Sequence, residues 1–434
     1  MPRAKGTVLK SAAAKPKKSS GRDTPAMRQY AAFKEAHPGC VLFFRMGDFY
    51  EMFDDDAVAV ARALNLTLTE RSAGIPMAGV PYHAAEGYLR RLIAQGFRVA
   101  VCEQVQDPKD AKGVVDRAVT RVVTPGTLVD ESLLEDEAAS SVAAVCFLDD
   151  RGERAALAGV DLSTGAFWLT DGPAPEAIDE LTRRGVTELL YAETADGRAP
   201  DRVNRLLSAT GAAGTARPPW HFRPAESLER LTSHYAVTTL AGFGLADDDP
   251  ALVAAGAVLG YLQDTQAADD ASRATSAGNE AAQALARRSL KHLAPPRRED
   301  PAHLLRLDAV SLRSLEITQT VRSRSTEGSL LGVFLHSSSC PRTAMGKRTL
   351  RHWLCAPSRE AAVIAARHNA VAALAEDARL RAELRDTLDP VADIARIAAR
   401  VGLWRATPRD VVALGRSLAT VAPLLDLVGT VAAF

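Results

Sequence analysis

The chain has 434 residues, of which 47% are apolar and 24% charged, so it is long enough for two to four domains with buried cores. Basic and acidic residues balance at 53 each, which excludes a strongly basic nucleic-acid-binding module on charge alone. The five cysteines form no CxxC pair and the nine histidines form no HExxH pattern, so neither a disulfide framework nor a metal site is predicted.

The first 22 residues differ from the rest of the chain. They carry seven basic residues and no acidic ones, which leaves the remainder with 46 basic against 53 acidic residues. We expect residues 1–22 to be a disordered basic tail, which either contacts nucleic acid without specificity or acts as a solubilising extension. No apolar segment follows this tail and no apolar run approaches the roughly 20 residues of a membrane helix, so a cytoplasmic protein without a membrane partner is predicted.

A small mixed α/β domain is predicted for residues 23–130. Its first helix begins at Thr24-Pro25, because threonine caps helices and proline suits the first helical turn. Apolar spacing places Met27, Tyr30 and Ala31 on the buried face of that helix. It also predicts strands at 41–44, 99–102 and 121–124. A further helix is predicted with these residues on its apolar face: Ala85, Leu89, Leu92 and Ile93.

A second α/β domain is predicted for residues 138–266. Its clearest element is residues 157–169, which read as strand, tight turn at Ser163-Thr164-Gly165, and strand. A helix at 178–184 and a strand at 188–191 follow. Residues 267–303 are rich in Ala, Asp and Ser and read as a connecting segment, and residues 304–434 read as mostly helical.

The sharpest local feature is the stretch Arg45-Met46-Gly47-Asp48-Phe49-Tyr50-Glu51, which follows the first strand. If the backbone is extended there, Phe49 and Glu51 lie on one side and Tyr50 on the other. An aromatic ring beside a carboxyl group suits base reading, because the ring stacks on an unpaired base while the carboxyl group hydrogen-bonds a base edge. The simpler alternative is a core phenylalanine beside a solvated glutamate.

Two further segments are open to more than one interpretation. Residues 74–83 contain two glycines and two prolines, which predict a rigid apolar loop that is either buried or presents Met77 or Tyr82 to a partner. Asp161, read as lying on the first strand of its domain before a turn, suggests a metal-dependent nuclease or an ATPase. Such a site needs further converging carboxylates, and the nearest candidates, Glu188 and Glu193, read as exposed.

Several segments resemble, in order, the MutS family of DNA mismatch-repair proteins. In the first domain these are 24–30 (TPAMRQY), 44–53 (FRMGDFYEMF), 75–83 (IPMAGVPYH), 102–104 (CEQ) and 121–127 (RVVTPGT). Further along they are 161–165 (DLSTG), 189–193 (LLYAE), 315–319 (LEITQ), 345–348 (MGKR) and 353–354 (WL). The similarity spans about residues 24–420.

The resemblance implies a mismatch-binding domain, an RNase H-like connector and the first part of an all-α lever domain. It implies that Phe49 is an aromatic wedge that enters the minor groove at a mispair and that Glu51 is its hydrogen-bonding partner. Arg45, Met46, Asp48 and Met77 are expected to be supporting DNA contacts. The implied partners are double-stranded DNA with mismatches or small loops, and a MutL-type protein on the connector.

The family's clamp and ATPase domains follow the lever, and with them come ATP, Mg²⁺ and most of the homodimer interface. Gly346-Lys347 does not complete a Walker A loop, because Pro341 stands where its first glycine is required. We therefore expect that this chain binds no nucleotide or metal cofactor and is not an enzyme, and that its helices after Leu304 expose an apolar face. A protein-interaction scaffold without DNA reading is the remaining alternative.

Overall fold

The computed structural model describes residues 24–72, 74–105, 115–130, 133–134, 136–137, 140–273, 290–299, 301–336 and 340–429. The basic tail and much of the connecting segment lie outside these residues. Two successive mixed α/β regions are followed by an array of helices, which confirms the predicted class of α/β followed by all-α.

The first region is a six-stranded sheet with helices on both faces. Its strands are β1 (Val41–Met46), β2 (Phe49–Phe53), β3 (Thr69–Ser72), β4 (Ile75–Pro81), β5 (Val99–Gln104) and β6 (Arg117–Val123), in the spatial order β3-β4-β2-β1-β5-β6. Helix α1 (Pro25–Ala36) covers one face, and α2 (Asp54–Leu64) and α3 (Ala85–Ala94) cover the other.

Burial on both faces explains the apolar run that opens β1. Val41 and Phe43 pack with α2 and α3, while Leu42 and Phe44 pack with α1. The predicted start of α1 is confirmed, since the Thr24 hydroxyl accepts a hydrogen bond from the Met27 amide at 3.4 Å.

Two predictions for this region were wrong. Ala31 is exposed, because α1 contacts the sheet along a narrow stripe that runs through Met27, Tyr30 and Phe33. Most of the segment 74–83 is not a loop but strand β4, which pairs with β2 on one side and β3 on the other. Its prolines are tolerated because Pro76 lies one residue beyond the last β2 pair and Pro81 ends the strand.

The second region is another six-stranded sheet with helices on both faces. Its strands are β7 (Ser141–Phe147), β8 (Arg154–Asp161), β9 (Ala166–Pro173), β10 (Glu188–Ala192), β11 (Ala213–Arg217) and β12 (Arg297–Arg298), in the order β11-β10-β7-β8-β9-β12. Its helices are α4 (Glu176–Arg184), α5 (Asp201–Thr210), α6 (Pro224–Tyr235) and α7 (Leu252–Arg273). The predicted hairpin is confirmed as β8 and β9, and the predicted helix and strand as α4 and β10.

Beyond residue 304 the described chain is helical, as predicted. The helices are α8 (Ala309–Ser314), α9 (Leu330–Leu335), α10 (Ala344–Cys355), α11 (Ala361–Glu376), α12 (Ala378–Leu388), α13 (Ile394–Gly402), α14 (Pro408–Ala419) and α15 (Val421–Gly429). Helices α11, α12 and α15 contain no buried residue, and large apolar side chains such as Val371, Val412 and Leu425 are exposed. The expected exposed apolar surface is therefore confirmed.

The stretch Pro408–Gly429 is, among the described helices, the one that is long and apolar enough to cross a membrane by length and composition. This is weak evidence by itself. Two helices, α14 and α15, of 12 and 9 residues make up this stretch, and Thr420 lies between them.

Candidate nucleic-acid interface

A tight hairpin joins β1 to β2 and projects from the first sheet. Met46 pairs with Phe49, which leaves Gly47 and Asp48 as a two-residue loop. Gly47 has a φ of +60°, and glycine at the first position of such a loop is favoured because it accepts positive φ without strain. The hairpin therefore places Phe49 as the first residue after the turn.

Alternation along β2 separates an exposed aromatic residue from a buried one. Phe49 is 47% exposed, whereas Tyr50 is 6% exposed and packs with the α2 and α3 side of the sheet. The predicted alternation is confirmed, and the alternative of Phe49 as a core residue is wrong. A large apolar ring held in solvent on a rigid strand is available to contact a partner.

Glu51 lies on the same side of β2 as Phe49. Its side chain is 22% exposed and forms an ion pair with Arg71, whose Nη1 is 3.1 Å from Glu51 Oε2. Burial raises the pKa of the Glu51 carboxyl group, and the positive charges of Arg71 and Arg117 partly offset this rise. Gly79 pairs with Glu51 from β4, and a Cβ there would lie 3.8 Å from the Phe49 ring and 3.9 Å from Glu51 Cγ. Phe49 and Glu51 therefore lie beside Gly79, a position that has no side chain of its own to cover the sheet.

The other candidate residues divide between the two faces of the hairpin. Met46 and Met77 pack against the cluster on the α1 side, which is the face of Phe49 and Glu51. Asp48 is exposed in the turn. Arg45 is directed to the opposite face, where its guanidinium lies 3.8 Å from the centre of the Tyr82 ring and its Nε donates to the Gly47 carbonyl at 2.5 Å.

Sequence reasoning missed two arginines that support this face. Arg71 holds Glu51, and Arg117 donates from Nε to the Arg45 carbonyl at 2.8 Å and from Nη1 to Gln29 Oε1 at 3.0 Å. Arg117 also lies 4.7 Å from the centre of the Phe44 ring. No local motif marks either arginine, since both reach the hairpin through strand pairing.

The raised pKa of Glu51 leads to a prediction about stability. A carboxyl group whose pKa is higher in the folded state contributes stability at pH values below its unfolded pKa, and that contribution is lost as pH rises through the folded pKa. Glu51→Gln stays uncharged, so we expect this variant to be at least as stable as the wild type at pH 7. Urea unfolding at pH 7 and pH 4 measures this, and the difference between the two proteins should shrink at pH 4.

A marked loss of stability in Glu51→Gln at pH 7 would show instead that the charged pair with Arg71 is a net stabiliser. Glu70→Gln, at an exposed position of β3 in the same sheet, is the matched control and should leave stability unchanged.

The predictions for Asp161 and Glu188 need correction, whereas Glu193 is exposed as predicted. Asp161 ends the second strand of its sheet, not the first, and β8 runs antiparallel to β7. It therefore lies at the edge where β7 and β10 begin, and its Oδ1 accepts from the Ser163 amide and hydroxyl. Glu188, which was predicted to be exposed, is fully buried. Four donors from distant segments of the chain satisfy its carboxyl group. Across the described residues, no three His, Cys, Asp or Glu side chains are grouped to hold a metal ion.

Two α/β domains followed by helices, with an exposed aromatic side chain at a hairpin tip of the first domain, define a modular protein of three successive regions. Three family models match this order: MutS domain I at residues 24–132, MutS domain II at 140–274 and MutS domain III at 310–432. The chain belongs to the MutS family.

Curated relatives agree with these matches. The DNA mismatch repair protein MutS of Solibacter usitatus is 41% identical over 92% of this chain and 43% of its own length. The corresponding proteins of Symbiobacterium thermophilum and a Synechococcus strain are each 40% identical, over 91% and 94% of this chain and 43% and 46% of their own lengths. The chain thus spans less than half the length of the curated relatives it matches.

Proposed function

We propose that this chain reads mispaired or looped positions in double-stranded DNA through the tip of the β1–β2 hairpin, as part of DNA mismatch repair. The observation that supports this most is the exposed Phe49 ring beside a partly desolvated Glu51, on a strand fixed by pairing on both sides. Membership of the MutS family, whose relatives are named for mismatch repair, supports the choice of DNA as the ligand.

The proposed mechanism uses the ring as a wedge in the minor groove. Insertion unstacks a base step, which costs a few kcal/mol at a paired step and least at a mispair, so a mispaired site accepts the kink more readily. Stacking of one base on an aromatic ring contributes ~1–3 kcal/mol in return. Binding by deformability and stacking together would select mispairs without a full set of base-edge contacts.

Glu51 has a second part in this mechanism. A carboxylate brought close to phosphates is repelled unless it accepts a hydrogen bond or takes up a proton. Its raised pKa favours proton uptake beside DNA, and a mispaired base offers donors and acceptors that lack their usual partner. Arg71 holds the carboxyl group in place next to Phe49. Met46 and Met77 would add apolar contact on the same face, while Arg45 and Asp48 would be supporting DNA contacts near the turn.

The second and third regions have supporting roles in this proposal. The order of β9-β8-β7-β10-β11, with β10 and β11 parallel to β7, supports an RNase H-like connector without catalysis. We propose that the connector binds a MutL-type partner and that the helices after residue 304 are part of the lever. ATP binding and homodimerisation belong, in this proposal, to the clamp and ATPase parts of the family, and the site of action is the cytoplasmic nucleoid.

Equilibrium binding tests the proposed function. Fluorescence anisotropy should show tighter binding of the chain to a G·T duplex than to the matched G·C duplex, at one stated salt concentration, because phosphate contacts affect both alike. An extrahelical-loop duplex should resemble the G·T duplex. Equal affinities would contradict mismatch reading, and Mg²⁺-dependent cleavage or ATP turnover would favour the nuclease or ATPase alternative.

A further inference from the structure

The turn that ends the first domain is inserted into the second domain. Thr124, Pro125, Gly126 and Thr127 form this turn, and the Thr124 and Thr127 hydroxyl groups lie 2.8 Å apart within it. The carbonyl of Pro125 accepts from the hydroxyl groups of Ser140 at 2.9 Å and Thr187 at 2.8 Å. The contacts of Ser140 and Thr187 join the turn to the start of two strands of the connector sheet.

Gly126 allows the turn to approach the connector sheet this closely. A Cβ atom at this position would lie 2.7 Å from Val142 Cβ and 2.8 Å from Glu188 Cβ. Both neighbours are Cβ atoms on central strands of the sheet, so neither can move aside as the end of a flexible side chain would. Any larger residue must displace the turn.

Glu188 is the centre of this junction. Its side chain is completely buried, and Oε2 accepts from the Thr124 hydroxyl at 2.5 Å and the Gly126 amide at 3.1 Å. Oε1 accepts from the Thr215 hydroxyl and the Tyr261 hydroxyl, each at 2.7 Å. A carboxylate with four donors is satisfied, so one side chain links the first domain, two connector strands and helix α7.

The segment that joins the two domains is also attached to helix α10, through Asp136. Asp136 forms an ion pair with Lys347 of α10 at 2.7 Å, and Arg348 of α10 donates to the Asp136 carbonyl at 3.3 Å. Arg348 also forms a two-bond ion pair with Asp393 at 2.6 and 2.9 Å. This attachment is more exposed than the buried one, so salt screens it more strongly.

We propose that Glu188 is a positioning residue, which locks the turn 124–127 into the connector and so fixes the direction of the Phe49 hairpin relative to the rest of the chain. Strand β6 runs directly into the turn, and β6 is paired through β5 to β1 of the hairpin. A rigid connection from Glu188 to the hairpin tip therefore passes through the sheet without a flexible loop. The effect on DNA reading rests on the proposed function, while the joint itself does not.

Three substitutions test the joint. In Glu188→Ala all four donors lose their acceptor, so hydrogen exchange at the Gly126 amide should become at least about tenfold faster, which corresponds to the ~1.4 kcal/mol of one lost buried hydrogen bond. In Glu188→Gln the remaining oxygen can still accept from Gly126 while its amide donates to the rotatable hydroxyl groups, so the exchange rate should lie between those of the wild type and the alanine variant. Gly126→Ala should loosen the turn by the clash of its Cβ with Val142 and Glu188, while all four donors and the Glu188 carboxyl group remain in the chain.

Matched controls separate a loose joint from general damage. Glu193→Ala removes an exposed glutamate just beyond the same strand, and Gly87→Ala adds a Cβ on α3 with no atom within 4 Å. Neither should change exchange at Gly126. Unchanged exchange at position 126 in both Glu188→Gln and Gly126→Ala would overturn the proposed joint. Loss of protection throughout both sheets in all three variants would also overturn it, because the contacts would then be part of an ordinary core.

DNA binding gives the functional readout on folded variants. With a loosened joint, the ratio of G·T to G·C affinity should fall toward one in Gly126→Ala and fall less in Glu188→Gln. If the wild type shows no preference for the mispair, the proposed function fails while the exchange result still decides the joint. If the wild type discriminates and Gly126→Ala discriminates equally well despite faster exchange, the positioning role is contradicted.

Discussion

Phe49→Ala is expected to weaken binding to a G·T duplex by about 5- to 150-fold, while binding to the matched duplex changes little. The loss corresponds to the ~1–3 kcal/mol that stacking on one base contributes, at about 1.4 kcal/mol per tenfold. Matched DNA is held through phosphate contacts, to which an apolar ring contributes nothing. Anisotropy titrations with both duplexes in the same buffer measure the two effects together.

Folding does not obscure this comparison, because Phe49 is about half exposed and its truncation leaves no enclosed cavity. Tyr82→Ala is the matched control. Tyr82 is also 47% exposed and adjoins the turn, since its amide donates to the Asp48 carbonyl at 3.0 Å. It stacks with Arg45 on the opposite face, so its loss should leave the mismatch preference intact. A Phe49→Ala variant that retains the full preference for the G·T duplex would show that Phe49 does not read the mispair.

Phe44→Ala is expected to have the opposite profile, with a loss of about 3–5 kcal/mol in the free energy of unfolding of the first domain. Phe44 is fully buried, and its ring centre lies 5.5 Å from that of Tyr30 and 4.7 Å from the Arg117 guanidinium. Truncation leaves a cavity that the paired strands around it cannot close. Chemical denaturation monitored in the first domain measures the effect.

The contrast with Phe49→Ala makes this second prediction informative. Phe44 pairs with Glu51 across the hairpin, only a few residues from Phe49, and both phenylalanines are on the α1 side of the sheet. A stability loss below about 1 kcal/mol in Phe44→Ala would mean that this end of the sheet is loosely packed. The rigid support that the proposed wedge requires would then be missing.

The sequence predicts those features of this site that depend on neighbouring residues, but not those that depend on contacts between distant segments. Alternation within β2 is local, so the placement of Phe49 and Tyr50 on opposite sides of the strand could be predicted from spacing alone. The partner of Glu51 could not, because Arg71 reaches it only through the pairing of β3, β4 and β2, and β4 was predicted to be a loop. Two prolines in this short segment favoured a loop, although the segment is a strand that pairs with the preceding β3 and with the more distant β2.

Glu188 shows the same limit in the second domain. Next to Thr187 at the start of a strand it reads as an exposed residue, and its burial depends on Thr124, Thr215 and Tyr261, which the sequence separates by 27 to 73 residues from it. A buried carboxylate becomes evident only once the donors that satisfy it are assembled. Apolar spacing predicted strands such as β1, β5, β8 and β10, whereas β4 and the contacts between the domains could not be predicted.

Photocrosslinking from position 49 tests whether the Phe49 side chain lies at the mispair. A benzoylphenylalanine at position 49 keeps an aromatic side chain at the hairpin tip, and the same residue at position 82 samples the opposite face at equal exposure. With an end-labelled G·T duplex, we expect that position 49 crosslinks at the mispair or the step beside it, and that position 82 does not. Crosslinks from position 49 that spread evenly along the duplex, or that arise equally from position 82, would contradict the proposal that Phe49 reads the mispair.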